Sequence, residues 1–417
     1  MRPPPAVNRC AVRQGGHKPG VDYEYIQTAD PLRGLCDDLA SASVIGYDTE
    51  FVSEYSYRPD LCLIQVAADR RLAVIDTRAL PEIGEFWAVL ADAGHQTIVH
   101  SGREEFRFCV QACGRRPSRL LDTQIAAGLI GMEYPASYAK LLARLVGRHL
   151  AKGETRTDWR RRPLSRRQIE YALQDVVHLE PMRDRLMQRL NTLGRSAWLD
   201  EEMQRWQDDQ EAAETREHWR RVGGLSGLTA QALAVVRELW QWREAQAARR
   251  NCPARRVLRD DLIVELARCG TADVARIRAV RGLDRGDLQR SLNEIAQCVE
   301  RAMGLPPAQW PGRSERRAIP PQVTVLSQFL ATTLAGTARA QEVAPALVGT
   351  VQDVAELVAY RLGVADPPFE HPPRLASGWR AVVVGQLIDD LLAGRLAIRI
   401  RDPLADNPLV FDPVSPG

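Results

Sequence analysis

Past residue 20 the chain alternates two kinds of apolar spacing. Short β-branched runs at Val44–Phe51 (VIGYDTEF), Leu61–Ala67 (LCLIQVA), Leu72–Asp76 (LAVID) and Thr97–His100 (TIVH) read as strands. Apolar residues recur at helical spacing over about Ile83–Ala91, Arg103–Cys113, Thr123–Ile130 and Ser137–Val146. Asp30-Pro31 reads as an N-cap followed by proline at the first helical position, opening a helix that runs to about Ser43. Ser165-Arg-Arg-Gln168 fits a capping box and predicts a long helix, which Pro181 kinks or ends. Strands mixed with helices in this way indicate an α/β domain over 21–206, after a loose Pro-, Gly- and Arg-containing tail at 1–20.

After Trp206 the strand signals stop. Gln207–His218 reads as a polar connector, and Thr229–Asn251 opens a series of helical patterns that reaches Met303. We therefore expect a helical domain over 219–303. Residues 304–322 hold Pro306, Pro307, Pro311, Pro320 and Pro321 and read as a linker. A second helical domain is expected over 323–401, with a frayed, Pro- and Asp-rich tail at 402–417.

A chain of 417 residues with 45% hydrophobic and 26% charged residues is ordinary globular material, which excludes wholesale disorder and a fibrous repeat. No run approaches the ~18 apolar residues of a membrane span, and Met1-Arg-Pro-Pro-Pro lacks the apolar stretch of a signal peptide. The eight cysteines are scattered with no Cys-x-x-Cys pair, so we expect reduced thiols and a cytoplasmic protein. Cys109 and Cys113 stand four apart, as a metal pair or as two small hydrophobes on one helix face. Charge is uneven. Residues 219–317 carry 19 arginines against 11 acids, a net of +8 in a chain of net +3, so the remainder is −5. A basic block on an acidic chain suggests a polyanion partner.

Several chemistries are absent. No lysine precedes Ser or Thr, so there is no Walker A loop. His-Glu-x-x-His, Gly-x-Ser-x-Gly and a dinucleotide fingerprint are also missing, and we expect no nucleotide cofactor. Carboxylates remain. Asp48 and Glu50 lie two apart on a predicted strand and share a face. Either the strand ends there and both acids reach water, or a divalent cation pairs with them. Tyr171 and Asp175 lie four apart on a predicted helix and also share a face. Glu104 and Glu105 open a helix just after His100, where acids also complement the macrodipole.

Asp-x-Glu on a strand, an acid after a His-x-Gly turn and Tyr-x-x-x-Asp on a late helix together resemble the three exonuclease motifs of the DEDD superfamily. The stretches GYDTEF, YRPDLCLIQVA, HSGREEF, LLDTQIAAGLIG, KGETRTDWRRRPLS and YALQDVVHLEPM, in that order over about residues 22–200, resemble the ribonuclease D family. The resemblance implies an α/β fold with a ribonuclease H-like mixed sheet and flanking helices, followed by one or two all-helical HRDC-type domains. It implies that Asp48, Glu50, Glu105 and Asp175 hold two divalent ions, Mg²⁺ or Mn²⁺, and that Tyr171 is the catalytic tyrosine of the tyrosine-type subclass. Glu105 departs from the family, whose second motif has aspartate in that slot; the carboxylate is kept on a longer arm.

The segment 222–303, with LAVVRELWQWREAQAARRNCPARRVLRDDLIVELA and the later IRAVRGL, resembles an HRDC domain, a small helical nucleic-acid-binding module. Arg249, Arg250, Arg255 and Arg256 either contact phosphates there or form a solvated face, and Trp240 and Trp242 read as packing residues. LASGWRAVVVGQLIDDLLAGRLAI resembles the divergent C-terminal helical region of ribonuclease D. The activity implied is a 3′→5′ exoribonuclease that releases 5′-mononucleotides and trims tRNA precursors, acting as a monomer on RNA 3′ ends. Lys152 and Arg156, in the stretch 152–162, touch the RNA backbone in this reading, or lie on an ordinary charged loop. Two rivals stand: a DNA-directed exonuclease, and a nucleic-acid-binding protein whose nuclease site has decayed through Glu105.

Overall fold

The β-branched runs pair into one mixed sheet. In the computed structural model, which describes residues 22–69, 71–150, 157–312, 319–405 and 408–414, the strands are β1 (Glu24–Ile26), β2 (Val44–Val52), β3 (Asp60–Ala68), β4 (Arg71–Ile75), β5 (Gln96–Val99) and β6 (Leu121–Asp122). Their order is β1-β4-β3-β2-β5-β6, with β1 parallel to β4, β3 antiparallel to β4, and β5 parallel to both β2 and β6. The two strands of this sheet not expected from sequence, β1 and β6, have three and two residues, too short to carry a period of their own.

Helices α1 (Ala29–Ser41), α2 (Gly84–Ala91), α3 (Arg103–Cys113), α4 (Thr123–Gly128), α5 (Tyr138–Val146), α6 (Arg166–Gln174), α7 (Leu179–Thr192) and α8 (Ser196–Thr215) flank the sheet or follow it. Two differ from expectation. Helix α1 starts after Thr28, so Asp30 is a first-turn acid, 3.2 Å from Arg33, and not the N-cap. The capping box at Ser165 and Gln168 forms, but the long helix it was expected to open breaks in two at 175–178. Pro181 is the cause. In one continuous helix its ring would meet the Val177 carbonyl, whereas in the first turn of α7 its missing N–H costs nothing. Helix α8 also absorbs most of the expected connector at 207–218.

The described residues form two units. The second holds the loop Phe51–Asp60 and the chain from 211 to 312. Its helices are α9 (Ala230–Arg250), α10 (Ala254–Val257), α11 (Asp260–Cys269), α12 (Val274–Arg278), α13 (Gly286–Arg290) and α14 (Leu292–Met303). Thr229 caps α9 through its side chain, and Asn251 ends it in a left-handed conformation. Leu239, Ile263, Leu283, Ile295 and Val299 form the centre of its core.

The first unit holds the sheet and also the C-terminal segment, α15 (Pro321–Ala340), α16 (Pro345–Val348) and α17 (Val351–Leu362). Residues 323–401 were expected to be a domain of their own. In the structure Val323, Leu330, Leu334, Leu357 and Trp379 belong to the same buried cluster as Ile45, Ile75 and Ile98 of the sheet. Arg195 fastens this segment by donating to the carbonyls of Leu129 and Glu342, each at 2.7 Å, and to that of Gln341. The tail expected at 402–417 contains a strand, Leu409–Pro413, which pairs antiparallel with Leu396–Ile400. Among the described residues no helix is long and apolar enough to cross a membrane.

Candidate active site

Strand β2 supplies two acids. Along β2, only Val44–Gly46 pair with β5, so Asp48 and Glu50 lie beyond the last β5 pairing. Alternation buries Tyr47 and Thr49 and leaves Asp48 and Glu50 half-buried on the other face. The third acid, Asp175, is the C-terminal cap of α6, at the break before α7. Gly46 lets that elbow approach the sheet: a Cβ there would stand 3.2 Å from Leu179 Cδ1, the first residue of α7. One carboxylate oxygen from each of Asp48, Glu50 and Asp175 then lies within 4.8 Å of the others.

Three acids this close repel one another. Burial, then the charges of Glu105, Asp175 and Glu50, push Asp48 well above the usual carboxylate range. Burial and the same kind of repulsion lift Glu50 to about 8, and burial lifts Asp175 to about 6. An all-oxygen donor set that resists ionisation alone suits a hard divalent cation, whose charge removes the repulsion. The residues present therefore fit a divalent metal.

Glu105 stands beside this set. It is buried on α3, and its Oε1 accepts a hydrogen bond of 2.5 Å from the Thr49 hydroxyl. Burial raises it to about 7 against the opposing pull of that bond. Of the four acids expected around the metal, the structure groups Asp48, Glu50 and Asp175 and gives Glu105 to Thr49.

The His-x-Gly turn before α3 is held by a residue whose sequence context did not single it out. Asp122, buried at the end of β6, accepts from the amides of Ser101 and Gly102, each at 3.0 Å, and of Gln124 at 2.8 Å. Ser101 sits at φ 55°, and a Cβ on Gly102 would collide with the Val99 side chain. Asp122 thus fixes an unusual turn that sets where α3 and Glu105 begin. Its one local signal was an aspartate just before a helix, the pattern of an N-cap.

Tyr171 is half-buried on α6, one turn before Asp175. Burial, then the charges of Asp175, Glu50 and Asp48, raise its pKa, so the hydroxyl stays protonated. Tyr138 steadies the end of α6 by donating to the Gln174 carbonyl at 2.8 Å.

The remaining candidates lie apart from these acids in sequence. Arg249, Arg250, Arg255 and Arg256 are exposed in the second unit. Arg249 bonds Gln246 at 2.6 Å, and Arg255 pairs with Asp260 at 3.3 Å. Trp240 and Trp242 pack on that unit's core, and Trp242 donates to Glu294 at 2.7 Å. Lys152 and Arg156 lie outside the described residues. The Cys109 and Cys113 sulfurs are 3.9 Å apart on α3, with Cys109 buried.

A family model described as 3′-5′ exonuclease matches residues 23–191, and an HRDC domain model matches 232–299. The ribonuclease D of Zymomonas mobilis is 32% identical over 387 residues, covering 91% of this chain and 96% of its own. That of Acidiphilium cryptum is 33% identical over 383 residues, covering 90% and 94%. The crystal structure of Escherichia coli RNase D, an exoribonuclease involved in structured RNA processing, is similar at a TM-score of 0.77 and 26% identity, covering 89% of this chain and 99% of that one.

Proposed function

This chain belongs to the ribonuclease D family, and on that premise we propose that it is a 3′→5′ exoribonuclease that releases 5′-mononucleotides by two-metal-ion hydrolysis. The observation that carries the reading is the grouping of Asp48, Glu50 and Asp175 within 4.8 Å. Asp48, Glu50 and Asp175 would hold the ions, Mg²⁺ or Mn²⁺. Glu105, bonded to Thr49, would add a fourth carboxylate to the metal site, acting less directly than the other three. When bound, divalent cations make water a nucleophile at neutral pH and relieve charge on the departing 3′ oxygen. Tyr171, its hydroxyl protonated, orients the attacking water by hydrogen bond.

The substrate in this reading is the 3′ end of tRNA precursors in the cytoplasm, handled by a monomer. Lys152 and Arg156 contact the RNA backbone, and the arginines at 249, 250, 255 and 256 contact phosphates from the HRDC unit. RNA and DNA oligomers of equal sequence, labelled at the 5′ end and digested in Mg²⁺, Mn²⁺ or EDTA, test the reading. RNA should shorten stepwise from its 3′ end only when metal is present. Faster loss of DNA supports the DNA-directed rival, and binding without cleavage supports a decayed site.

A further inference from the structure

We infer that Trp159, held in place by Arg162, is a positioning residue for Tyr171; the inference rests on the role proposed above for that tyrosine. Both residues precede α6 in the stretch first read as touching RNA. Arg162 is fully engaged within the protein. Its Nε and one terminal nitrogen grip the buried carboxylate of Asp76, at the end of β4, at 2.7 and 2.6 Å. That terminal nitrogen also donates to the Cys62 carbonyl of β3 at 2.9 Å. The other donates to the carbonyls of Trp159 at 2.7 Å and Arg161 at 2.9 Å. One planar guanidinium thus ties the 158–163 turn to two strands, three residues before the Ser165 cap of α6. An arginine used this way has no donor left for a phosphate.

The consequence lies at Trp159. Its backbone carbonyl is fixed by Arg162, and its indole is 6% exposed. The indole lies nearly parallel to the Tyr171 ring, with centroids 6.5 Å apart and planes 22° apart. Tyr171 is itself half-buried, on the same helix as Asp175 and one turn before it. A fixed indole plane along one face limits the swing of the Tyr171 side chain about χ1, and with it the place its hydroxyl can occupy. Reaction rates are steep in such placement: a 1 Å error costs on the order of 100-fold. The chain of constraint runs from Asp76 through Arg162 and Trp159 to Tyr171, and no member but the last touches the reacting atoms.

The test is a double-mutant cycle on the full chain, reading kcat and KM on one RNA oligomer, with thermal melting to check folding. Trp159→Ala should lower kcat by roughly 10- to 100-fold with KM within about twofold, and Trp159→Phe should recover most of the rate. In a Tyr171→Phe background the further loss from Trp159→Ala should shrink to about threefold or less, because the group it positions is gone. Equal losses in both backgrounds overturn the inference and leave the role of Tyr171 standing. Parent-like kcat in Tyr171→Phe overturns both. If Trp159→Ala melts below the assay temperature, Trp159→Leu replaces it in the same cycle under the same criteria.

Discussion

A buried carboxylate is expensive unless its lone pairs are met, and Asp76 shows what meeting them achieves. It accepts from Nε and one terminal nitrogen of Arg162, from the Tyr25 hydroxyl at 2.7 Å and from the amides of Arg78 and Ala79. Burial alone would raise its pKa; the Arg162 and Tyr25 bonds outweigh burial and lower it from 3.8 to about 2. A folded pKa below the unfolded one gives stability that is present above about pH 4 and lost as pH falls toward 2. The size is about 2 kcal/mol. Urea unfolding of the parent and Asp76→Asn should therefore show a gap that narrows across that window, and a constant gap would contradict it. Glu105 gives a second prediction at this scale. Its extra methylene is worth roughly 1.5 Å of reach, and the structure directs that reach to Thr49. Glu105→Ala should raise the Mg²⁺ needed for half-maximal rate several-fold and change the saturated rate less, while Glu105→Asp should lower the requirement. Superimposable titrations of parent and Glu105→Ala would remove this residue from the metal site.

Elements were legible where their cause is local. The run at 44–51 became β2 almost unchanged, because β-branched alternation needs no partner to be seen. The capping box at Ser165 formed for the same reason. Asp48 with Glu50, and Tyr171 with Asp175, were visible because strand and helix periods put each pair on one face. Strands β1 and β6 were invisible because only their neighbours make them strands. Thr49 with Glu105, and Asp76 with Arg162, lie 56 and 86 residues apart and meet only when the sheet closes. The break after Gln174 was half legible: Pro181 announced it, but its position depends on how α7 rests against Gly46. The C-terminal segment was misjudged because helical periodicity says which face is apolar, not what covers it. Its anchor is Glu202 of α8, which bonds Arg380 at 2.5 and 2.7 Å, Arg374 at 3.1 Å and the Trp379 indole at 3.1 Å. Arg380 is 1% exposed, so Glu202→Ala leaves a buried cation unpaired. Equilibrium unfolding should show a loss of about 3–5 kcal/mol. A loss below about 1 kcal/mol would mean that Glu202 is not what anchors the C-terminal helices.

At the scale of the molecule, one unit carries the acids and the other the arginine-rich stretch that begins at 219. In the proposed function, cleavage belongs to the first and phosphate binding to the second. Replacing Arg249, Arg250, Arg255 and Arg256 by alanine should raise KM more than it lowers kcat. It should also flatten the log–log salt dependence of binding by about 0.7 for each phosphate that is no longer neutralised. An unchanged slope would make these arginines a solvated face. The central claim is that the carboxylates of β2 and α6 make this chain a metal-dependent nuclease working from the 3′ end. Its most direct test is the digestion of a 5′-labelled RNA oligomer by the parent and by Asp48→Asn, side by side in saturating Mg²⁺, with both proteins shown to be folded by circular dichroism. The parent should give a stepwise ladder of 3′-shortened products and Asp48→Asn should leave the RNA uncut; the same ladder from both proteins would contradict the claim.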